Sequence, residues 1–241
     1  MTAPPRLRVD LTDVALARDG RPVFEGLSLT LTERRVGVIG RNGAGKSQLS
    51  RLIAGLVRPD RGEVRVDGID VARDRRAAIR SVGILFQNPD HQIIFPTVDE
   101  ELAFGLTSLG LTRAEARARV TATLARFGRQ DWAGRNVQTL SQGQRHLLCL
   151  MAVLAMEPAT ILLDEPFAGL DLATELMLNA ILSALPQRLI HVTHDLGALA
   201  GYDRVVWLDA GRIVGDGAPA AVIAAYRAEM AERARHAGTE F

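Results

Sequence analysis

The eight residues Gly40-Arg-Asn-Gly-Ala-Gly-Lys-Ser47 decide the fold that this sequence encodes. They continue the short apolar run RVGVIG, which predicts a buried strand, and they lead into SQLSRLIAGL, which predicts a helix starting at Gly45 or Lys46. The pattern G-x-x-x-x-G-K-[ST] between a strand and a helix is typical of a phosphate-binding loop, where backbone N–H groups and the positive end of the helix face an anion. The sequence therefore predicts that Lys46 reaches the phosphates and that Ser47 holds Mg²⁺.

Lys46 is also the single lysine of a chain that has 29 basic residues. All the others are arginines, whose planar, forked head group is larger than an ammonium group. A phosphate loop needs a compact point charge between glycine amides. The retention of one lysine at this position is therefore an independent indication that the loop binds phosphate.

Composition excludes several classes of function. The 241 residues carry a formal net charge of +1 and only 5% aromatic side chains, which favours neither attraction to nucleic acid nor base stacking. The single cysteine, Cys149, excludes an internal disulfide. The N-terminal stretch lacks the apolar segment of a signal peptide, and the longest apolar run, LLCLMAVLAM, is shorter than the roughly 20 residues that cross a bilayer. We therefore expect a partner to provide any attachment to a membrane.

Strand and helix patterns interleave along the chain. The runs RLRVDLTDVAL and LSLTLTER alternate apolar with polar residues, which predicts half-buried antiparallel strands. GEVRVDG, VGILF, TILLDE and LIHVT predict further strands, RVVWLDAGRIVGDG predicts a hairpin, and residues 218–235 predict an amphipathic helix. We therefore expect an α/β fold with a mostly parallel central sheet and an antiparallel sheet beside it.

Three helix starts carry the pattern of a capping box, a serine or threonine followed three residues later by glutamate or glutamine. They are Thr97 with Glu100, Thr112 with Glu115, and Ser141 with Gln144. The first two open helices of a mostly helical segment, residues 87–138, which we expect to be inserted between the two halves of the α/β core. At the third, the free N–H groups of the helix start either bind an anion or are only capped, and both can hold.

A pair of carboxylates, Asp164 and Glu165, ends the apolar run ATILL. Acidic residues often end strands as solvated turns, so the pair alone is a weak signal. In a chain with a phosphate loop, the first carboxylate is placed to hold Mg²⁺ through water and the second to polarise an attacking water molecule. Together the two motifs predict a site for Mg²⁺-dependent phosphate chemistry.

Six motifs in order resemble those of the ABC ATPases. GRNGAGKS, LSQGQ at 140–144 and ILLDEPFAGLD at 161–171 resemble the Walker A, signature, Walker B and D-loop motifs, while Gln87 in LFQNPD and His194 in VTHD fall at the Q-loop and the switch histidine. The resemblance extends from Leu7 to about Ala225. It implies one P-loop ATPase domain over 1–241, with a core and antiparallel β-subdomain at 6–86 and 139–217, an inserted helical subdomain at 87–138 that runs into a signature helix at 141–156, and a C-terminal helix at 218–241.

The resemblance implies that two cassettes pair head to tail, either as a homodimer or with a second ABC ATPase. Each ATP, with Mg²⁺, would then lie between the phosphate loop of one cassette and the signature of the other, and Asp171 would line the interface. The residues implied in nucleotide contact are Gly40, Arg41, Asn42, Gly43, Ala44, Gly45, Lys46, Ser47, Gln48, Ser141, Gly143, Gln144 and Asp171.

The same resemblance implies which residues hydrolyse ATP. Glu165 would be the general base and His194 would contact the γ-phosphate. Gln87 would sense Mg²⁺ and the attacking water. Lys46 would act on the phosphates, and the residues implied at the metal are Ser47, Asp164 and Gln87.

Two positions depart from the family pattern. Gln142 stands where the signature LSGGQ has glycine; if Ser141 caps the helix, Gln142 is its first residue and has an ordinary helical φ, so we expect a working signature. At Gly143 a side chain would block the approach of phosphate to the N–H. The segment VALARDGRPVF has no tyrosine or tryptophan to stack on adenine, and Arg18 either stacks there through its guanidinium plane or is a solvated loop arginine.

The segment ILFQNPDHQIIFPTVDEELAFGL resembles the ATPases of energy-coupling factor (ECF) transporters, which import vitamins and transition-metal ions. LLCLMAVLAMEPATILLDEPFAGLD and HVTHDLGALAGYDRVVWLDAGRI look most like the biotin-transporter branch, with cobalt or nickel ATPases as the alternative. This implies a place on the cytoplasmic face of the inner membrane, with a transmembrane coupling protein and a membrane substrate-binding subunit as partners. Apolar residues after the Q-loop would form a groove for a helix of the coupling protein, or else the core of the helical subdomain: Ile93, Ile94, Phe95, Leu102 and Phe104.

A soluble ABC ATPase acting on DNA or ribosomes is the alternative from another functional class. Such proteins usually have long coiled-coil insertions or two cassettes in one chain, and this sequence has neither. A P-loop kinase or GTPase is a further alternative, but the guanine-binding motif N-K-x-D is absent. We therefore expect membrane partners and no nucleic acid.

Overall fold

The computed structural model describes residues 8–237, which form two compact units. One unit contains the chain up to Ala78 and from Arg188 onward, and the other contains Ile79–Gln187. The start of the predicted N-terminal strand, residues 6–7, and the end of the predicted C-terminal helix, residues 238–241, lie outside the described residues. The predicted division into core, β-subdomain and helical subdomain stays a prediction.

Helices and strands alternate as expected for an α/β chain. In chain order they are β1 (Val9–Arg18), β2 (Arg21–Leu31), β3 (Arg35–Ile39), α1 (Lys46–Ile53), β4 (Arg61–Val66), β5 (Ile69–Asp70), α2 (Arg75–Ser81), β6 (Val82–Leu85), α3 (Val98–Ser108), α4 (Arg113–Arg126), α5 (Gln142–Ala155), β7 (Thr160–Asp164), α6 (Leu172–Ala184), β8 (Arg188–Val192), β9 (Arg204–Asp209), β10 (Arg212–Gly217) and α7 (Pro219–Ala237).

Two groups of strands lie in the first unit. The four strands β2-β1-β4-β5 form an antiparallel sheet, with β1 paired to both β2 and β4. This confirms the half-buried antiparallel strands predicted from the alternating N-terminal runs. In the second group, β3 lies between β8 and β9 and is parallel to both, and β9 continues into the predicted hairpin with β10. Val36, Val38 and Ile39 in β3 are fully buried, as a central parallel strand requires.

The C-terminal helix α7 covers β9 in the first unit. Val222 belongs to a buried cluster that contains Ile39 and Trp207. Tyr226 meets Trp207 edge to face, with ring centroids 5.3 Å apart and an interplanar angle of 84°, a favoured aromatic geometry. The amphipathic helix predicted over 218–235 is therefore confirmed, with slightly different ends.

The second unit contains the parallel strand pair β6 and β7 and the helices α3 to α6. Helix α5 is apolar and buried along most of its length, and it packs against α3, α4 and β6. Cys149 on this helix is 1% exposed and burial raises the pKa of its thiol, in keeping with the predicted core position. Among residues 8–237, no helix is both long enough and apolar enough to cross a membrane.

The capping boxes predicted at Thr112 and Ser141 are confirmed, with both reciprocal hydrogen bonds formed. The third prediction is only half right. Thr97 caps α3, with Oγ1 3.4 Å from the Glu100 N–H, but its hydroxyl donates to Glu100 Oε2 at 2.6 Å and no reciprocal backbone bond forms.

Candidate nucleotide-binding and hydrolysis site

The predicted phosphate loop joins β3 to α1 in the first unit. The helix begins at Lys46, and Gly45 precedes it with a left-handed backbone (φ 102°). Residues 41–43 and Ser47 are exposed to solvent, so this side of the loop is open to a ligand. Backbone N–H groups at such a helix start are the donors that phosphate oxygens accept.

Gly40 is required by the close packing of the loop on β9. Its φ is 151°, and a Cβ at this position would lie 2.2 Å from the carbonyl oxygen of Leu208, a distance that real Cβ atoms essentially never show. Any other residue would push the loop away from β9. The loop is therefore fixed from behind while its other side stays open.

Lys46 is held inside the loop and is only 8% exposed. Its Nζ donates hydrogen bonds to the carbonyl oxygens of Gly40, at 2.8 Å, and Arg41, at 3.1 Å. A buried ammonium needs such partners, because desolvation without them is costly. The positive charge is thus held at the place where the loop would receive phosphates.

His194 and the phosphate loop lie at the same end of the sheet, namely the carboxyl end of its parallel strands. Strands β3 and β8 are parallel neighbours with Val38 opposite Val192, so both end at one edge. The Thr193 N–H donates to the Val38 carbonyl at 3.2 Å, which ties the turn after β8 to β3. The first unit therefore brings together the exposed His194 and the loop that sequence reasoning assigned to the same ligand.

Arg18 ends β1 in the hairpin with β2, opposite Arg21. Its side chain is half-buried, and Nη1 lies 3.5 Å from the carbonyl oxygen of Ala17. No contact in the structure tests whether the guanidinium stacks on adenine, so this role stays a prediction.

In the second unit, Gln87, Asp164 and Glu165 lie at one edge of the β6–β7 pair. The strands are parallel, with Leu85 opposite Leu163, and both end at this edge. Asp164 closes β7 and is 7% exposed, Glu165 is half-buried and Gln87 is exposed. The three residues predicted to act on the metal and the attacking water therefore come together.

Glu165 has a left-handed backbone, with φ 52°. For a residue other than glycine this conformation costs about 1–2 kcal/mol, and such strain collects at functional sites. In a continued strand, Asp164 and Glu165 would point to opposite faces of the sheet. The left-handed backbone ends this alternation at Glu165, so its side chain need not point to the face opposite that of Asp164. The letters DE carry no signal of this turn, and sequence reasoning missed it.

The signature turn begins α5. Ser141 accepts a hydrogen bond from the Gln144 N–H at 3.3 Å, and Gln144 Oε1 accepts one from the Ser141 N–H at 2.9 Å. The amide oxygen of Gln144 is thus used inside the cap. Gln142 is the first residue of α5 and does not have a positive φ, which confirms that glycine is not required there by the backbone.

Gly143 is required by the close approach of α6. A Cβ on Gly143 would lie 2.7 Å from Thr174 Cγ2. Thr174 cannot easily move, because its N–H and its hydroxyl donate to the Asp171 carboxylate at 3.0 and 2.8 Å. These two bonds also hold the pKa of the Asp171 carboxyl below its usual range. Sequence reasoning placed Asp171 at a dimer interface and missed that it caps α6 and braces Thr174 against the signature turn.

The glutamine in the signature should be tolerated. We expect Gln142→Gly to change the ATPase rate of the assembled complex by less than tenfold, because Gln142 is the first residue of α5 and does not have a positive φ. Gly143→Ala is the matched comparison and should lower the rate by at least tenfold, since the new methyl group meets Thr174. Steady-state phosphate release measures both. A tenfold rise in Gln142→Gly would show that the glutamine obstructs the signature.

The residues present fit ATP with Mg²⁺. The loop has an open side and a fixed cation, and Gln48, on the first turn of α1, has a buried Oε1 without a hydrogen-bond partner among residues 8–237. In the first unit Ser47 offers a hydroxyl, and in the second unit Asp164 offers a carboxylate. Each is an oxygen ligand of the kind that Mg²⁺ prefers.

Comparisons with known proteins show to which family the chain belongs. The profile of the ABC transporter family matches residues 24–168. The biotin transport ATP-binding protein BioM of Rhodobacter capsulatus is 58% identical over 227 residues, covering 94% of this chain and 97% of that protein. The energy-coupling factor transporter ATP-binding protein EcfA of Methanothermobacter thermautotrophicus is 37% identical, covering 88% of this chain and 71% of that protein.

A solved structure shares the fold. CbiO1 from Clostridium perfringens, described as part of the ABC transporter complex CbiONQ, has a TM-score of 0.76 and 29% sequence identity, with 90% of each chain covered. The α/β ATPase fold predicted from the phosphate loop outward is thereby confirmed. The chain belongs to the ABC transporter family and is one of its ATPases.

Proposed function

We propose that this chain is the ATP-hydrolysing subunit of an ECF-type importer and that the imported substrate is biotin. The assignment of biotin as the substrate rests on the 58% identity to a biotin transport protein over 94% of the chain. Identity to the EcfA relative, whose name specifies no substrate, is 37%. The Q-loop segment LFQNPD and the helix start TVDEELAFG support the ECF type, and the stretches LLCLMAVLAMEPATILLDEPFAGLD and HVTHDLGALAGYDRVVWLDAGRI support the biotin branch.

In this role the phosphate loop binds the ATP phosphates, with Lys46 at the β- and γ-phosphates. Ser47 and Asp164 would hold Mg²⁺, with Gln87 beside it, and the ion would supply positive charge that neutralises the phosphoryl oxygens. Glu165 accepts a proton from the attacking water as the water oxygen bonds to the γ-phosphorus, and the bond from the γ-phosphorus to the bridging oxygen of the β-phosphate breaks, which releases ADP and phosphate.

His194 contacts the γ-phosphate, and Arg18 stacks on adenine. Ser141, Gly143 and Gln144 face the ATP of a second cassette, so the active assembly is a pair of cassettes, and we propose a homodimer. The proposed contact between the signature turn and ATP is supported by Ser141. Its side chain accepts from only one N–H of the α5 start, which leaves other N–H groups for an anion. ATP binding then closes the pair and hydrolysis reopens it.

We assign the membrane partner to an apolar groove on the second unit. A cavity of about 660 Å³ is lined by Phe95 and Phe104, whose ring centroids lie 5.2 Å apart, and by residues of α3 and α4. Phe104 is 45% exposed and Ile94 is 67% exposed, whereas Leu102 is fully buried. Leu102 is therefore a core residue. For this residue the alternative prediction holds, namely a place in the core and not in the groove. The exposed members support docking of a helix from the transmembrane coupling protein. We propose that the chain lies on the cytoplasmic face of the membrane.

The experiment that tests this function combines purification with transport. The tagged chain is isolated from detergent-solubilised membranes of its own cells, and uptake of radiolabelled biotin is measured in cells with and without its gene. Stoichiometric membrane partners and loss of biotin uptake are expected. Loss of cobalt or nickel uptake instead would change the substrate, and recovery of ribosomes or DNA in place of membrane proteins would contradict the transporter role.

A further inference from the structure

His146 joins two functional segments of the second unit. It lies on α5, one turn after Gln142, and is fully buried. Its Nε2 lies 3.1 Å from the carbonyl oxygen of Gln87, and its Nδ1 lies 3.1 Å from the carbonyl oxygen of Gln142. One side chain thus touches the main chain of the Q-loop and of the signature turn.

The chemistry of these contacts indicates which one depends on His146. Both carbonyl oxygens can only accept, so a ring nitrogen that hydrogen-bonds to either of them carries a hydrogen. The Gln142 carbonyl already accepts the helical bond from the backbone N–H four residues later. The Gln87 carbonyl has no donor other than His146 among residues 8–237. A hydrogen on Nε2 therefore satisfies a carbonyl group that no other residue in the described part of the chain satisfies.

Two neighbouring side chains also bind this segment, but they contact it beyond Gln87. Arg145 Nε lies 3.1 Å from Asp90 Oδ1, without the alignment of a hydrogen bond, so this contact is an ion pair further along the segment. At the far end, the buried carboxylate of Glu101 accepts bonds from the N–H groups of Ile94 and Phe95 at 2.9 and 3.0 Å. Of these three side chains, only His146 contacts Gln87 itself.

We propose that His146 is a positioning residue for ATP hydrolysis. By donating to the Gln87 carbonyl, it fixes the Q-loop glutamine against the first turns of the signature helix, so that the Gln87 side chain stays where it meets Mg²⁺ and the attacking water. This inference rests on the role proposed above for Gln87. It predicts that losing the Nε2 donor lowers kcat and leaves KM for ATP nearly unchanged, because the phosphate loop is not touched.

Two amide substitutions separate the two contacts of the imidazole. The amide nitrogen of His146→Gln reaches about as far as Nε2 and can still donate to Gln87, whereas that of His146→Asn reaches only as far as Nδ1. We expect kcat of His146→Gln within threefold of the wild type and kcat of His146→Asn reduced at least tenfold, with KM within twofold in both. His146→Leu fills the ring volume without a donor and should match His146→Asn. Met151→Leu, a volume-conserving change at another buried site on α5, is the control and should leave kcat unchanged.

Two further readouts separate positioning from general destabilisation. In nucleotide-free protein, amide hydrogen exchange over residues 86–92 should rise in His146→Asn and not in His146→Gln. In a Gln87→Ala background, His146→Asn should lower kcat by less than twofold, since no glutamine side chain remains to be misplaced. Equal kcat values for the Asn and Gln variants, or an undiminished effect in the Gln87→Ala background, would overturn the proposal. An inactive wild-type complex would instead refute the proposed function.

Discussion

Lys46→Arg is expected to abolish ATP hydrolysis, although arginine serves at every other basic position of this chain. We expect kcat to fall by at least about 100-fold, the loss typical when a positioned group that stabilises transition-state charge is removed. Phosphate release by the assembled complex measures the rate, and binding of a fluorescent ATP analogue measures affinity.

The geometry of the loop explains why arginine cannot replace this lysine. The ammonium lies within hydrogen-bond distance of two loop carbonyls, and the side chain is 8% exposed, so little room exists for a forked head group. The loop cannot retreat to make room, because Gly40 already lies against the Leu208 carbonyl of β9. A guanidinium would therefore enter the space of the phosphates or distort the loop.

The reverse exchange provides the control. Arg51 lies exposed in the last turn of the same helix, and Arg51→Lys should leave kcat within twofold of the wild type. Thermal unfolding of both variants should show that each is folded. If Lys46→Arg kept more than a tenth of the wild-type rate, the single lysine would have no functional meaning.

Local signals predicted much of the fold and of the site. The Gly40–Ser47 pattern located the junction of β3 and α1, and Ser141 predicted the start of α5. Both predictions succeed because a phosphate loop and a helix cap each depend on residues only a few positions apart. By contrast, α2 was not predicted, since it is short and buries only Ala78. Leu102 and Phe104 were grouped together in one apolar stretch, and only their packing separates a core residue from an exposed one.

The features that sequence reasoning missed depend on contacts between distant parts of the chain. His146 and Gln87 are 59 positions apart, and Gly143 meets Thr174 only because α6 packs on the signature turn. No local pattern encodes such pairs. The left-handed backbone of Glu165 is likewise invisible in sequence, because a conformation disfavoured for glutamate is imposed by the surrounding fold.

Glu165→Gln is expected to lower ATP hydrolysis by at least 100-fold while ATP binding persists. An amide cannot take the proton of the attacking water, and loss of a general base typically costs a factor of 10² to 10⁴. Glutamine has nearly the same shape as glutamate, so the left-handed turn after β7 should remain. Because ATP binds but is not cleaved, the variant should accumulate as a cassette dimer containing ATP. Phosphate release measures the rate, and size-exclusion chromatography with nucleotide analysis detects the trapped dimer.

The control for this variant is a glutamate in the same strained backbone. Glu157 precedes β7 as Glu165 follows it, and its φ is 54° against 52° for Glu165. Its side chain is 67% exposed and pairs with Arg119, a surface contact worth less than about 1 kcal/mol. Glu157→Gln makes the same chemical change in the same conformation at the opposite end of the strand, so its rate should stay within twofold of the wild type. A normal rate in Glu165→Gln would remove Glu165 as the base, whereas equal losses in both variants would attribute the effect to the turn and not to proton transfer.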